Sequence, residues 1–250
     1  MSDLIDTLNA RSGMLCTVGA GGKKTTLYHL AGLHPGRLGI TSTVPVAHFP
    51  AALGVHEVIA GRDEIVERVV EAATEYRVIA FAHTDVKKSR YGGVDPRTLA
   101  KIQREAGFDV VLVKADGARM RWIKAPRDGE PHIPDGTTTV VPVVSARAIG
   151  EPLSDKVAHR IDQLEAVTGA KRDEAIAPEH IARLLTSDDG ALKNVGEALV
   201  VPVINMVDDE EFEELAVGAA RSALSLTDRF DRIVLTSNRR SDPLVRLVER

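Results

Sequence analysis

Cysteine, aromatic side chains and excess basic charge are all scarce in this 250-residue chain. The single cysteine, Cys16, excludes an internal disulfide, which is typical of a protein from a reducing compartment. Acidic residues outnumber basic ones by 36 to 32, and the net charge of -4 does not fit a general nucleic-acid binder. No Cys/His cluster has zinc-site spacing. The composition therefore points away from disulfide-rich, nucleic-acid-binding and zinc-dependent classes.

Long apolar runs and targeting signals are also missing. No stretch has the length of a membrane span. The opening residues, MSDLIDTLNARSG, lack the basic and then apolar pattern of a signal peptide. We therefore expect a cytoplasmic protein with no membrane partner and no nucleic-acid partner.

What the chain does contain is an alternation of short β-branched runs with helical patterns. Strands are predicted at 14–18, 37–43, 77–83, 108–115, 138–144, 197–205 and 232–237. Helices are predicted at 25–33, 61–75, 95–107, 155–168, 178–186, 209–225 and 243–249. This order favours an α/β fold with a mostly parallel sheet and helices on both faces. We predict a single P-loop NTPase-like domain over residues 1–250, with a helical excursion at 145–196.

The glycine-rich turn GAGGKKTT joins the first predicted strand to the first predicted helix. In a P-loop, backbone N–H groups surround phosphate oxygens and a lysine neutralises them. The spacing G-x-x-G-K is shorter than the usual motif and resembles the loop of Mur-type ligases. The residues predicted to bind a nucleotide here are Gly19, Ala20, Gly21, Gly22, Lys23, Lys24, Thr25 and Thr26. The alternative is an ordinary turn with solvated lysines.

Lys24 stands where such loops carry the hydroxyl that binds Mg²⁺. Either the magnesium ligand moves to Thr25, or Lys24 takes a phosphate-binding role. Asp116 follows the apolar strand 108–115, where P-loop sites place an acid that binds metal or orders water. We predict Lys23 and Asp116 as catalytic residues, and Thr25 and Asp116 as magnesium ligands.

Asn205 and Asp208 end the predicted strand 197–205 with the spacing N-x-x-D. This spacing resembles the guanine-reading motif of GTPases, in which the aspartate accepts hydrogen bonds from the base. Both residues are therefore predicted to contact the nucleotide base. The alternative for Asp208 is the N-cap of the acidic helix that follows.

A basic loop that contains prolines lies beyond Asp116. Proline stiffens it, because each ring fixes one backbone angle. Arg119, Lys124 and Glu130 are predicted to hold an anionic substrate there. The alternative is a solvated surface loop whose charges point outward.

Several separated blocks together resemble the YqeC-type selenium-dependent hydroxylase accessory proteins. The blocks are 19–23, 115–118, 124–126, 130–131, 133–134, 159–160 and 205–208. The resemblance covers most of the chain and implies an accessory factor in cofactor maturation for selenium-dependent molybdenum hydroxylases. The chain departs from the family pattern at Lys114, where an acid is usual, and at Lys24, where a hydroxyl is usual.

These observations predict a nucleotide-binding accessory protein that takes ATP or GTP with Mg²⁺. The resemblance implies that its partner is a molybdenum hydroxylase or the cofactor of one. As an enzyme it would be an NTP hydrolase or a nucleotide-dependent transferase. The alternatives are an ATP-dependent transferase or ligase that activates a small anionic substrate, and a cofactor-binding module without hydrolysis.

Overall fold

The computed structural model describes residues 4–250, apart from the side chains of Asp85 and Lys87. The strands are β1 (Gly13–Gly19), β2 (Leu38–Ser42), β3 (Val46–Ala47), β4 (His56–Ala60), β5 (Val78–Lys87), β6 (Arg90–Gly92), β7 (Val110–Lys114), β8 (Ile123–Lys124), β9 (Thr139–Ser145), β10 (Ala158–His159), β11 (Leu199–Val200), β12 (Val203–Asn205), β13 (Arg232–Thr236) and β14 (Leu244–Glu249). The helices are α1 (Leu4–Thr7), α2 (Lys23–Leu33), α3 (Ile65–Ala72), α4 (Pro96–Ala106), α5 (Ile161–Thr168), α6 (Pro178–Thr186) and α7 (Glu210–Leu226), with 3₁₀ turns at Ala51–Leu53 and Ala146–Ala148.

One mixed sheet organises the chain. Within residues 4–250 it has twelve strands, in the order β14-β13-β12-β9-β1-β7-β2-β5-β6-β3, with β11 beside β9 and β4 beside β5. The pairs from β13 through β12, β9, β1, β7 and β2 to β5 are all parallel. Antiparallel pairs occur toward the two ends, between β13 and β14 and among β5, β6 and β3. The predicted α/β class with a mostly parallel sheet is confirmed.

Two apolar cores lie on opposite faces of the sheet. The core on one face contains side chains from α1 and α2, and the core on the other contains side chains from α3 to α7. The central strand β7 contributes to both, because successive side chains of a strand point to opposite faces. Val110 and Leu112 pack on the α2 side, whereas Val111 and Val113 pack on the other side. Burial on both faces explains the nearly continuous apolar run of this strand.

The segment 243–249 is a strand, so the predicted helix there is wrong. Its residues form β14, which pairs antiparallel with β13 from Arg232↔Glu249 to Thr236↔Leu244. Pairing with the exposed side of β13 satisfies backbone groups that would otherwise stay open at the sheet end. The β-branched residues Val245 and Val248 are compatible with that role. The apolar spacing in seven residues was too short to distinguish a helix from a strand.

Residues 145–196 carry α5 and α6 along with the short strand β10. Strand β10 pairs in parallel with β8 and forms a two-stranded sheet apart from the main one. Helix α6 packs against α7. None of the helices described in residues 4–250 has both the length and the apolar character that a membrane span requires.

The parallel strands determine where a site can form. Their carboxyl ends all meet at the same edge of the sheet, which is where open α/β folds bind ligands. Strand β1 lies between β7 and β9. The turn after β1, the residues after β7 and the residues after β12 and β13 therefore converge at this edge.

Candidate functional site

The glycine turn between β1 and α2 is held in a conformation that needs glycine. Gly21 and Gly22 have φ of 80° and 127°, in a region that other residues rarely adopt. A Cβ on Gly22 would lie 2.1 Å from Asn205 Nδ2, and a Cβ on Gly19 would lie 2.4 Å from the Val143 carbonyl oxygen. The turn is therefore packed tightly against the strands beneath it.

The turn leaves a set of backbone donors open. The N–H groups of Ala20 and Gly21 donate to the carbonyls of Val143 and Arg121, at 2.8 and 3.1 Å. Within the described residues, the N–H groups of 22–25 have no acceptor. Helix α2 has no side-chain N-cap bond and no acidic residue in its first turn. A helix start without a side-chain cap leaves such N–H groups unpaired, and they are donors of the kind that phosphate-binding loops use.

Below the turn lies a buried group of five charged side chains, which we call the closed cluster: Lys23, Asp116, Lys124, Glu130 and Arg160. Asp116 is its centre and is only 2% exposed. Its Oδ2 accepts from Lys124 Nζ at 2.7 Å and from the Gly19 N–H at 3.0 Å. Its Oδ1 lies 2.8 Å from Lys23 Nζ and forms an ion pair with it, but the angles between the two groups are not those of a hydrogen bond. Lys23 Nζ also donates to the Gly19 carbonyl.

Glu130 completes the closed cluster from the basic loop. Its Oε2 accepts from Lys124 Nζ at 2.7 Å. Arg160 binds both carboxylate oxygens of Glu130, at 2.6 and 2.7 Å, in the fork geometry that gives strong pairs. Three basic side chains thus pair with two carboxylates largely out of water, and such pairing is how buried charges are tolerated.

The pairing in the closed cluster keeps its carboxyl groups ionised. Burial alone would raise the pKa of Asp116, but Lys23 and Lys124 outweigh burial and hold that pKa below its ordinary value. For Glu130, burial is likewise outweighed by the hydrogen bonds from Arg160 and Lys124, which lower its pKa to about 2. Both carboxyl groups are therefore charged at neutral pH.

Two further lysines at this edge have no such partner, and we call Lys24 and Lys114 the open lysines. Neither side chain forms a hydrogen bond or an ion pair with the described part of the chain. Both are partly exposed. Burial, followed by the positive charge of Lys23, lowers the pKa of Lys114 to about 7. Lys24 lies in the first turn of α2 with the free N–H groups, and Lys114 ends β7 at the same edge of the sheet.

Asp116 and Thr25, the residues predicted as magnesium ligands, have different surroundings in the structure. Both carboxylate oxygens of Asp116 already face lysine ammonium groups, which repel a cation. Thr25 is exposed, and the Thr26 hydroxyl donates to the Gly22 carbonyl at 3.3 Å. Across residues 4–250, no group of three or more His, Cys, Asp or Glu side chains is placed to hold a metal. Because Mg²⁺ on a nucleotide takes most of its oxygen ligands from water and phosphate, magnesium binding by Thr25 and Asp116 stays a prediction.

Asn205 lies under the glycine turn and is 1% exposed. Its Nδ2 donates to the Gly21 carbonyl at 2.8 Å, and its Oδ1 accepts from the Thr236 hydroxyl at 2.9 Å. Asp208 accepts from Arg147 and from the Ser237 hydroxyl, both at 2.7 Å. The structure therefore uses Asn205 to support the turn. Contact of either residue with a nucleotide base stays a prediction.

The three residues predicted to hold an anionic substrate are separated by the structure. Lys124 and Glu130 are buried in the closed cluster, where they bind each other. Arg119 is exposed and has φ of 47° in the loop after Asp116. Binding of a substrate by these residues stays a prediction, with Arg119 alone on the surface.

Some residues of the site were not predicted as ligands from the sequence. Arg160 belongs to the closed cluster through a pairing thirty residues away in sequence, which no local pattern reveals. Asn238 follows β13, and its Nδ2 is buried without a partner in the described residues. This atom lies 3.4 Å from where a Cβ on Gly22 would be. Lys114 was not predicted as a ligand either, and its position at the end of a buried strand was the signal that the sequence offered for it.

The fold and the site together define an α/β protein with a glycine turn, a buried charged cluster and unpaired lysines at the carboxyl edge of a parallel sheet. Comparison with known proteins matches residues 15–162, more than half of the chain, to the family model described as YqeC protein. The chain belongs to the YqeC family. It is 29% identical over 194 residues to the uncharacterized protein YqeC of Escherichia coli K12, covering 74% of this chain and 72% of that protein.

Proposed function

We propose that this protein binds a nucleotide through its phosphates at the turn between β1 and α2, in a P-loop-like manner. We further propose that it acts as an accessory protein in the maturation of selenium-dependent molybdenum hydroxylases. Membership of the YqeC family supports the second part of the proposal. The first part rests on the site itself.

The observation that carries nucleotide binding is the set of free N–H groups at residues 22–25 beside the open lysines Lys24 and Lys114. Free N–H groups at a helix N-terminus and nearby cations are complementary to phosphate oxygens. A carboxylate has only two oxygens and would leave some of these N–H groups and lysines without an acceptor. A polyphosphate uses several at once.

The closed cluster distinguishes the proposed role of Lys23 from that of Lys24. Lys23, which a P-loop would place on the phosphates, is 5% exposed and is held by Asp116 and the Gly19 carbonyl. We therefore assign it to shaping the turn and assign phosphate contact to Lys24. Because Asp116 is held by two lysines, the proposal is for binding, and hydrolysis is no part of it.

Calorimetric titration tests the proposal with ATP and GTP on the wild type, Lys24→Ala and Lys101→Ala. Lys101 lies exposed on α4 and serves as the control for loss of one surface charge. We expect the wild type and Lys101→Ala to bind equally, and Lys24→Ala to bind about tenfold more weakly, which corresponds to one charge-assisted bond of about 1.5 kcal/mol. Preference for GTP over ATP would support the predicted base contacts of Asn205 and Asp208.

Absence of binding by the wild type, for both nucleotides and both with and without Mg²⁺, would overturn the proposal. Equal binding by wild type and Lys24→Ala would remove Lys24 from the site. Thermal unfolding of each variant shows whether a loss of binding comes from the site or from loss of the fold.

A further inference from the structure

The geometry of β7 places Lys114 at the carboxyl edge of the sheet, on the face that α2 covers. Its neighbours in register are Thr17 of β1 and Ser42 of β2. Its carbonyl accepts from the Ser42 hydroxyl at 2.8 Å and from the Thr43 N–H at 3.1 Å, so the backbone is fixed between two strands. Strand alternation places Lys114 on the same face as Leu112, which packs in the α2 core. Helix α2, which begins at Lys23, packs against β7 on this face.

The charges that act on Lys114 are mostly positive. Besides burial, the positive charges of Lys23, Lys124 and Lys24 lower the pKa of Lys114, and the carboxylate of Asp116 raises it. Asp116 already pairs with Lys23 and Lys124 through its two oxygens. Lys114 thus has no carboxylate of its own in the described part of the chain. A partly buried ammonium among other cations is unfavourable unless an anion completes it.

The acid at this edge, Asp116, is thus paired with two lysines, and Lys114 is a basic group near it that is unpaired among the described residues. In a P-loop, the divalent ion neutralises phosphate oxygens and is itself held by an acid or hydroxyl of the protein. Here the carboxylate faces lysines, and the loop position for the hydroxyl is Lys24. An ammonium group binds phosphate as a point charge and needs no protein oxygen ligands.

We infer that Lys114, together with Lys24, neutralises the phosphate charge that Mg²⁺ neutralises in metal-dependent loops, so that this protein binds nucleoside polyphosphates free of metal. The inference rests on the proposed function. It assigns a specificity to the same site: the ligand is the metal-free polyphosphate. Bound Mg²⁺ on that ligand would meet the open lysines with like charge.

The experiment compares ATP binding in EDTA and in excess Mg²⁺ by calorimetry. The variants are Lys114→Gln, which removes the charge, Lys114→Glu, which adds a carboxylate, and the control Lys101→Gln. We expect the wild type and the control to bind in EDTA at least as tightly as in Mg²⁺. Lys114→Gln should bind about tenfold more weakly in EDTA, as expected for one lost charge-assisted contact. Lys114→Glu should bind more weakly still in EDTA and gain affinity when Mg²⁺ is added.

Each outcome separates this inference from the proposal on which it rests. Wild-type binding that requires Mg²⁺ would overturn the metal-free specificity and leave nucleotide binding in place. Equal binding of wild type and Lys114→Gln in EDTA would overturn the role of Lys114 alone. No binding by the wild type in either buffer would overturn both. Thermal unfolding of each variant shows whether it is folded. If Lys114→Glu does not fold, the comparison of wild type with Lys114→Gln is the test.

Discussion

The closed cluster and the open lysines lie at the same edge of the sheet and differ in what surrounds them. In the closed cluster, each lysine faces a carboxylate within 2.8 Å. The open lysines Lys24 and Lys114 have no such contact in the described structure. Adjacent residues of one motif, Lys23 and Lys24, thus fall on opposite sides of this division. Because Lys23 is buried with a partner, it is part of the scaffold. Because Lys24 has no partner among the described residues, it is available to the ligand that we propose.

The comparison also changes how the glycine turn is understood. Its shape depends on groups beneath it: Asn205 holds the Gly21 carbonyl, and Asp116 holds the Gly19 N–H. The closed cluster is therefore expected to control stability, and the open side is expected to control binding. The titrations of Lys24→Ala and Lys114→Gln test the binding side, and the three predictions below test the stability side, from the largest expected effect to the smallest.

Removal of the central carboxylate should break the closed cluster. Asp116→Asn leaves Lys23 and Lys124 buried with one carboxylate fewer, and uncompensated buried charge is strongly destabilising. We expect the free energy of unfolding to fall by about 3–5 kcal/mol, measured by urea denaturation. Asp135→Asn changes an exposed residue and should stay within about 0.5 kcal/mol of the wild type. Equal stability of the two variants would contradict the structural role of the cluster.

Gly22 precedes Lys23 and Lys24 in the glycine turn, and its substitution tests how tightly the turn is packed. Gly22→Ala forces a Cβ against Asn205 Nδ2 at a φ of 127°, and strain of this kind costs about 1–3 kcal/mol of stability. The matched control is Gly32→Ala in α2, where a Cβ meets open space and alanine should stabilise the helix by about 0.5–1 kcal/mol. Thermal unfolding measures both. Opposite signs are expected, and a neutral Gly22→Ala would refute the tight packing of the turn.

Acid should weaken the closed cluster through Glu130. Its pKa is lowered to about 2 from an ordinary 4.5, because Arg160 and Lys124 outweigh burial. The folded state therefore favours the ionised form. The stabilisation is complete above about pH 4.5 and is lost as the pH falls toward about 2. Allowing for solvent screening, the loss between about pH 5 and pH 3 should be about 1 kcal/mol.

Urea denaturation over that pH range measures the effect, with Glu130→Gln as the test variant. Its unfolding free energy should fall less steeply with acid than that of the wild type. Some slope remains, because the pKa of Asp116 is lowered as well. Glu151→Gln changes an exposed carboxyl group and should follow the wild-type curve. If all three curves coincide, Glu130 does not support the cluster.

Much of the fold was predictable because its signals are local. The helix α4 follows from Asp95, whose side chain accepts from the Thr98 N–H at 3.0 Å, and from Pro96 and Gly107 at its two ends. The buried strands β1 and β7 follow from their apolar runs. The helix predicted at 243–249 was wrong because those residues pair with β13, and pairing across the chain leaves no trace in so short a segment.

The candidate site divides in the same way. The glycine turn and Asp116 were predictable, since a strand that leads into a glycine-rich turn and a helix is a contiguous pattern. That Lys23 is paired with Asp116 and Lys24 is not could not be predicted from the sequence. They depend on the direction of each side chain at the start of α2 and on the position of β7, which brings Asp116 beneath the turn.

The sequence by itself determined the α/β class, the edge of the sheet at which charged residues gather and the family to which the chain belongs. The tertiary structure alone decided which of those charges are paired. Asp116, Lys124, Glu130 and Arg160 meet although up to 44 positions separate them, and Asn205 reaches the glycine turn across 184 positions of sequence. Electrostatic pairing depends on distance and burial in space, and composition and spacing along the chain specify neither.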